Sequence, residues 1–349
     1  MKKIIENRYA NLYLNAAIKL GLEYSILNEE IGLVRIYSDK TVLDISSNVL
    51  GVNSQLSSNL SVNKVKTSIL LKSQNIPTPK FKTFTEEIAA NTYAINQLKK
   101  KKALVVKPIS GSLSIGITVK PSTPAQIRNA VKEAFEGNSS IMIEEYIPGK
   151  HFRITILDDE IIAITQRIAA NVTGDGKQTV TELIQQKNAQ REKMQLPPIF
   201  LRKKDLHYLK EENIDLQKIY PKGTYILLQL GCDLDIGGER VRIDKENIPQ
   251  ENRELFINAA KTLSLRFAGI DYITPNITTP HTLIRSAINE INSAPDSDVH
   301  YRDTFPHDNY AAERIMKNIF FKNTSGKRKN EAWHLSKSSI SFRGIEATL

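Results

Sequence analysis

The chain has 349 residues, 40% of them apolar and 25% charged, which suits a globular protein of two or three subdomains around a sizeable core. It contains no stretch of about 18 uncharged apolar residues, which excludes a membrane-spanning helix, and its one cysteine, Cys232, excludes an internal disulfide framework and fits a reducing cytoplasm. The net charge is +10, so the surface favours anions: nucleotide, acidic peptide, nucleic acid or lipid headgroup.

The basic start, Met1-Lys2-Lys3, runs into Glu6-Asn7-Arg8 where a signal peptide would carry an apolar core. Residues 8–20 place Leu12, Ala16 and Leu20 four apart before Gly21, which predicts a helix with a glycine stop. Two short β-like runs, 33–37 and 41–45, flank Ser38-Asp39-Lys40 as a hairpin. Ser61 is expected to cap a second helix that continues to about Gln74, ahead of the extended Ile76-Pro77-Thr78-Pro79. Leu104-Val105-Val106-Lys107-Pro108 has the pattern of a buried strand, residues 123–135 of a helix, and Ile141-Met142-Ile143 of another buried strand. Residues 154–168 resemble two antiparallel strands around Asp158-Asp159. The charged stretch 191–222 is a helical or looped excursion. Residues 249–267 predict a helix, and two strands around Asp271 and Glu290 close the core. Beyond Asn323 the composition is polar and basic, with disorder expected. Alternating strands and helices indicate an α/β or α+β enzyme.

Three elements carry chemistry. Asp271 and Glu290 lie in runs joined by the turn Thr278-Thr279-Pro280-His281, so their strands should pair antiparallel. Residues two apart share a strand face, so Glu290 and Asn292 point together with Asp271 opposite. Three hard oxygen donors there form either a polar sheet face or a Mg²⁺ site with positions open to phosphate. Lys107 precedes the loop Ser110-Gly111-Ser112-Leu113-Ser114-Ile115-Gly116, which is a plain turn or a cradle in which backbone N–H groups and an ammonium grip phosphate. It is not a GxxxxGK[ST] loop, so a P-loop enzyme is not supported. Ile141-Met142-Ile143-Glu144-Glu145-Tyr146-Ile147-Pro148-Gly149 is either a simple strand end or a strand leading into an extended segment that binds a purine edge. The six histidines are scattered and have no zinc spacing.

In their order, these elements resemble the ATP-grasp superfamily, in particular the ATP-grasp portion of cyanophycin synthetases and of bifunctional glutathione synthetases. The family's "DKxxT…LL…G(I/V)PxP" is matched by Asn63-Lys64-Val65-Lys66-Thr67, Leu70-Leu71 and Asn75-Ile76-Pro77-Thr78-Pro79. Its "VEEYIPGxDxR" is matched by residues 143–153, and its "GDGK.T..ELI" by residues 174–184. Gly237-Gly238, Ala268-Gly269-Ile270-Asp271 and Glu290-Ile291-Asn292-Ser293-Ala294-Pro295 match "GG…AGID" and "EVNxxPG". The likeness spans about residues 8 to 320.

The resemblance implies an α+β ATP-grasp fold, two α/β subdomains clasping ATP, at residues 61–322. A short α/β region (1–60) would precede it and a basic tail (323–349) follow it. It implies a ligase that activates a carboxylate with ATP and Mg²⁺ (or Mn²⁺) and joins it to an amine. Lys64 and Lys107 would hold the α/β-phosphates with the Ser110, Gly111 and Gly116 loop. Glu144, with the backbone of Glu145 and Ile147, would bind adenine. Asp271, Glu290 and Asn292 would coordinate the metal. Arg153, with Lys107, would serve the chemistry, and Gly237 and Gly238 would lie by the substrate. His151 stands where relatives carry a ribose-binding carboxylate. The segment "RxNxNxSTGG" is replaced by Gln229 to Ile236 and the two glycines, the phosphate loop lacks the family's histidine and arginine, and Asp296 replaces glycine after Pro295. These departures imply either a different substrate or a catalytically weakened ATP-binding relative with a binding or regulatory role. Expected partners are amino acids or peptides, favoured by the charge if acidic, in a cytoplasmic protein that is free to form homo-oligomers. Trp333 and Phe342 are too few aromatics among the tail's basic residues to support a nucleic-acid partner.

Overall fold

The Asn7 side chain accepts a hydrogen bond from the Ala10 N–H and so starts helix α1 (Arg8–Lys19). In the computed structural model, residues 3–110, 115–194, 196–300 and 310–322 are described. An antiparallel meander follows: β1 (Glu23–Asn28), β2 (Leu33–Tyr37), β3 (Val42–Ser46) and β4 (Val49–Leu50). Period-2 alternation turns Val34, Ile36, Leu43 and Ile45 inward against α1. The hairpin at residues 38–40 is present, whereas β1 lacks alternation and is almost wholly exposed.

Ser61 does not cap a helix. It lies inside α2 (Gln55–Val62), which Ser54 caps, and its hydroxyl donates back to the Ser58 carbonyl. A separate helix, α3 (Lys64–Ser73), starts at Asn63, whose side chain accepts from the N–H groups of Val65 and Lys66. Two cap-forming residues stand two apart, and Asn63 satisfies two orphan donors at once.

The central unit comprises β5 (Phe81–Phe84), α4 (Glu87–Lys99), β6 (Leu104–Pro108), β7 (Thr118–Val119), α5 (Pro124–Phe135) and β8 (Ile141–Glu145). Its strands form an antiparallel sheet in the order β5-β8-β6-β7, with Phe84, Leu104, Val106, Ile127, Val131 and Ile143 in its core. A Thr123/Gln126 capping box begins α5.

The Asp158-Asp159 hairpin joins β9 (Lys150–Leu157) to β10 (Glu160–Ile168), and both aspartates have positive φ, 46° and 65°, as a tight hairpin turn requires. A small unit comes next, with β11 (Asn171–Thr173), α6 (Val180–Lys193), α7 (Lys203–Glu211) and β12 (Tyr225–Leu227) around Val172, Leu183, Ile199, Leu209 and Ile226. The chain returns through β13 (Glu239–Ile243), α8 (Gln250–Thr262), β14 (Phe267–Thr274) and β15 (Ala287–Asn292), and α9 (Tyr310–Phe321) follows. The helix expected to reach residue 267 stops at Thr262. Ser264 has φ +54°, and Phe267 already belongs to β14.

The large sheet runs antiparallel in the order β13-β10-β9-β14-β15. One face packs Phe152, Ile154 and Ile156 against α8. Toward the Asp158 end of the hairpin, Leu157, Ala163 and Phe267 pack against α1 and α9. Between that second core and the open end of the sheet, β9 carries Thr155, Arg153 and His151 on one face, and this polar strip is where the chemistry-bearing side chains gather. Among the described residues no helix is long and apolar enough to cross a membrane.

Candidate functional site

Lys107 sits on β6 opposite Met142 of β8, facing the large sheet. Its Nζ is 2.6 Å from Glu144 Oε1, both side chains being almost wholly buried, and 3.4 Å from Asn289 Oδ1 on β15. Burial pushes the Glu144 carboxyl up, and the Lys107 ammonium opposes that shift. Lys64 arrives from the start of α3, where its N–H donates to the Ile109 carbonyl at 3.1 Å. Its Nζ lies 3.8 Å from Glu290 Oε1. Burial lowers the Lys64 pKa, Glu290 opposes and Lys107 adds to the fall, so the two lysines from distant segments feel one another.

Around them, Ser110 is exposed at the end of β6, and Gly111 lies outside the described residues. Gly116 has φ +68°, and a Cβ there would come within 3.1 Å of Pro108 Cγ and 3.2 Å of the Glu133 carbonyl oxygen. The Glu145 carboxylate accepts from the Lys80 N–H at 3.1 Å and pairs with Arg285 at 2.9 Å, while its own N–H donates to the Lys80 carbonyl. Its side chain therefore ties the β5 approach to the β14–β15 connection. Ile147 is buried with Ile273 and Ala287 in a small apolar floor between the sheets.

On the large sheet, Asp271 is the register partner of both Glu290 on β15 and Arg153 on β9, and Asn292 stands opposite Gly269. Paired positions share a face, so Asp271, Glu290 and Asn292 do lie together. Arg153 Nε is 2.6 Å from Asp271 Oδ1 and Nη2 is 3.3 Å from Oδ2. Arg167, on β10, lies 3.5 Å from both oxygens. Burial by itself raises the Asp271 carboxyl, but the two guanidiniums outweigh it and its pKa falls. His151 pairs in register with Arg167 and Ile273, and burial, then Arg167, push its pKa down.

No side chain fits at Gly237 or Gly238 without a shift of the surroundings. A Cβ on Gly237 would sit 2.6 Å from Ile199 Cα, and one on Gly238 would sit 2.6 Å from the Asp233 carbonyl oxygen. Gln229 is fully buried and donates to the Phe200 and Ile236 carbonyls.

Sequence reasoning missed Arg167, Asn289 and His300. The alternation of β10 is the only signal that would have placed Arg167 on the Arg153 face. His300 is buried between the Thr155 and Thr165 hydroxyls at 2.7 and 2.8 Å, and burial with three nearby arginines holds its pKa well down.

Two antiparallel sheets meet over a cleft lined by Lys64, Lys107, Glu144, Asp271 and Glu290, and this architecture is the ATP-grasp fold. Residues 70–214 match the family model of the D-ala D-ala ligase C-terminus, a match that ends before Asp271. The chain is 26% identical over 312 residues to the glutathione biosynthesis bifunctional protein GshAB of Clostridium perfringens, covering 87% of this chain and 40% of that one. It is 30% identical over 205 residues to the cyanophycin synthetase of Geminocystis herdmanii, covering 56% of this chain and 23% of that one. The crystal structure of a bifunctional glutathione synthetase from Pasteurella multocida matches with a TM-score of 0.62 at 24% identity, covering 89% of this chain and 43% of that chain. The chain thus spans less than half the length of these curated relatives.

Proposed function

We propose that the chain is an ATP-dependent carboxylate–amine ligase that works through an acyl phosphate and releases ADP and phosphate. The observation that carries this reading is the convergence of Lys64, Lys107, Arg153 and Arg167 with Asp271, Glu290 and Asn292 from six separate elements onto one cleft of an ATP-grasp fold. The lysines suit the α- and β-phosphates, and the Ile147, Ile273 and Ala287 floor suits adenine beside the 145–147 backbone.

The donor set fits Mg²⁺. Asp271, Glu290 and Asn292 offer two carboxylates and an amide oxygen on one face. Among the described residues no cluster of three or more His, Cys, Asp or Glu could form a complete cage. A site that takes its remaining ligands from phosphate oxygens has this composition. Bound there, the metal would neutralise phosphate charge.

In the reaction, a carboxylate oxygen of the substrate attacks the γ-phosphorus and ADP departs. The amine then attacks the acyl carbon, phosphate leaves, and the amine loses its proton. Cations around the transferring group stabilise charge that grows in the transition state. Amino acids or peptides are the substrate class, and a cytoplasmic location goes with the reading.

The test is a screen of amino acids and dipeptides for substrate-dependent ADP release, with mass spectrometry of products. AMP and pyrophosphate as products would refute the acyl-phosphate route. ATP binding with no turnover on any carboxylate would instead favour a weakened, regulatory relative.

A further inference from the structure

Gly269 and Asn292 form the last register pair of β14 and β15 at this end of the sheet, yet β14 begins earlier, at Phe267. The missing rung is supplied from the N-terminal unit. Asn53, between β4 and α2, accepts from the N–H groups of Phe267 and Arg266 at 3.0 and 2.9 Å. Its Nδ2 donates to the Phe267 and Ser293 carbonyls at 2.7 and 2.8 Å. The whole hydrogen-bonding capacity of one amide is thus spent where β15 parts from β14.

The chain then crosses the polar face of the sheet as a strap. Pro295 is buried over Gly269, where a Cβ would stand 2.4 Å from the Pro295 Cβ, so only a glycine leaves room for the crossing. His300 ends it between Thr155 of β9 and Thr165 of β10, at 2.7 and 2.8 Å. The N-terminal unit holds the first part of the strap almost residue by residue. Besides Asn53, Asn48 donates to the Ala294 carbonyl at 3.0 Å, Tyr9 donates to Asp296 at 3.2 Å, and the buried Tyr13 hydroxyl lies 2.7 Å from Ser297 Oγ.

We propose that Asn48 and Asn53 are positioning residues for the metal site. They fix the course of the chain directly after Asn292, and so hold its amide oxygen on the face it shares with Asp271 and Glu290. The inference rests on the ligase reading above, in which those three side chains hold Mg²⁺. Asn292 is the last residue of β15, and β15 is the edge of the sheet, so the strand itself holds this ligand from one side only. Hydrogen bonds just outside a ligand set orient its members, and here they fall on the main chain of the next two residues.

The experiment titrates Mg²⁺ in calorimetric measurements of ADP binding, with melting curves alongside. Asn53→Ala should raise the Mg²⁺ concentration for half-maximal ADP affinity about tenfold, and Asn48→Ala, which removes a single bond, about threefold. Saturating Mg²⁺ should restore the wild-type affinity in both. Arg314→Met is the control, because Arg314 of α9 bonds to Glu160 and to the Ile161 carbonyl and not to residues 293–300. It should lower the melting temperature and leave the Mg²⁺ requirement where it was. A wild-type Mg²⁺ requirement in Asn48→Ala, or an equal rise in Arg314→Met, would overturn the assignment and leave the nucleotide site standing. A wild-type chain that binds no ADP at any Mg²⁺ concentration would overturn the ligase reading and this assignment with it.

Discussion

Asp296 leaves the Asn292 end of β15 and lies against helix α1, where its Oδ2 accepts from the Tyr9 hydroxyl at 3.2 Å and Arg8 stands 4.0 Å away. Burial, then the neighbouring Asp298 carboxylate, push its pKa from 3.8 up to about 7. The folded chain therefore binds this proton more tightly than the unfolded chain. The stability it contributes is complete below about pH 4 and is lost as the pH rises through about 7. Asp296→Asn removes the titration and still accepts from Tyr9. It should be more stable than the wild type at pH 8 by about 1–2 kcal/mol, after allowing for solvent screening of a partly exposed carboxylate. At pH 4 the difference should shrink toward zero. Thermal melts at pH 4, 6 and 8 check this, and parallel stability curves would count against it. Glu290 poses a different question, because the proposed metal site would depend on it. Glu290→Ala should keep the wild-type melting temperature and lose the ligase reaction, since several kcal/mol of phosphoryl-transfer stabilisation depend on the metal it would hold. A kinetic assay beside a melting curve decides, and near-normal turnover would reject the metal assignment.

At the level of elements, α6 depends on a buried arginine. Arg191, in its last turn, donates to the Pro197 carbonyl at 2.6 Å, to Gly238 at 3.2 Å and to Leu234 at 3.5 Å, and so ties the helix to the segment that returns toward β13. Arg191→Met keeps most of the volume but strips donors from buried carbonyls, at a cost of about 2–4 kcal/mol. Hydrogen exchange should quicken across residues 196–238 while β9 and β14 stay protected, and uniform quickening would mean that this unit is not a separate region of stability. Nothing local in the sequence announces Arg191, because its partners come from other loops. The same reasoning separates what was legible from what was not. The β9–β10 hairpin and the β14–β15 pair could be read, because alternation and turn residues are local signals, and the expected pairing of Asp271 with Glu290 is their register. Strand β5 has only Phe84 buried, and α4 buries only Ala90 and Ala94, too little pattern to detect. The Arg153–Asp271 bond spans 118 residues and exists because β9 lies between β10 and β14, a neighbour relation that no window of sequence contains.

Across the whole molecule, the first and last described segments share one core. Ala311, Ala312, Ile315 and Met316 of α9 are buried with Leu12, Tyr13 and Ala16 of α1 and with Leu157, Ala163 and Phe267 of the large sheet. Arg314 and Lys322 add ion pairs to Glu160 of β10, at 2.9 and 3.0 Å. Two truncations should therefore behave very differently. A chain ending at residue 309 loses α9 and exposes this core, a deficit of several kcal/mol at about 1.5–3 kcal/mol for each large side chain, which is a large part of a typical domain's stability. It should melt far lower or fail to fold, as circular dichroism would show. A chain ending at Lys322 keeps every contact named above and removes the basic segment in which Lys327, Arg328, Lys329, Lys337 and Arg343 lie. That segment has few large apolar side chains to offset the cost of ordering it, so the shorter chain should keep its melting temperature and its kcat. The basic residues would still attract an acidic substrate over about 10 Å at low ionic strength and much less in high salt. The expected result is a KM that rises on truncation at low salt and not at high salt. A kcat that collapses at both salt concentrations would place the tail within the working architecture and move the functional boundary past residue 322.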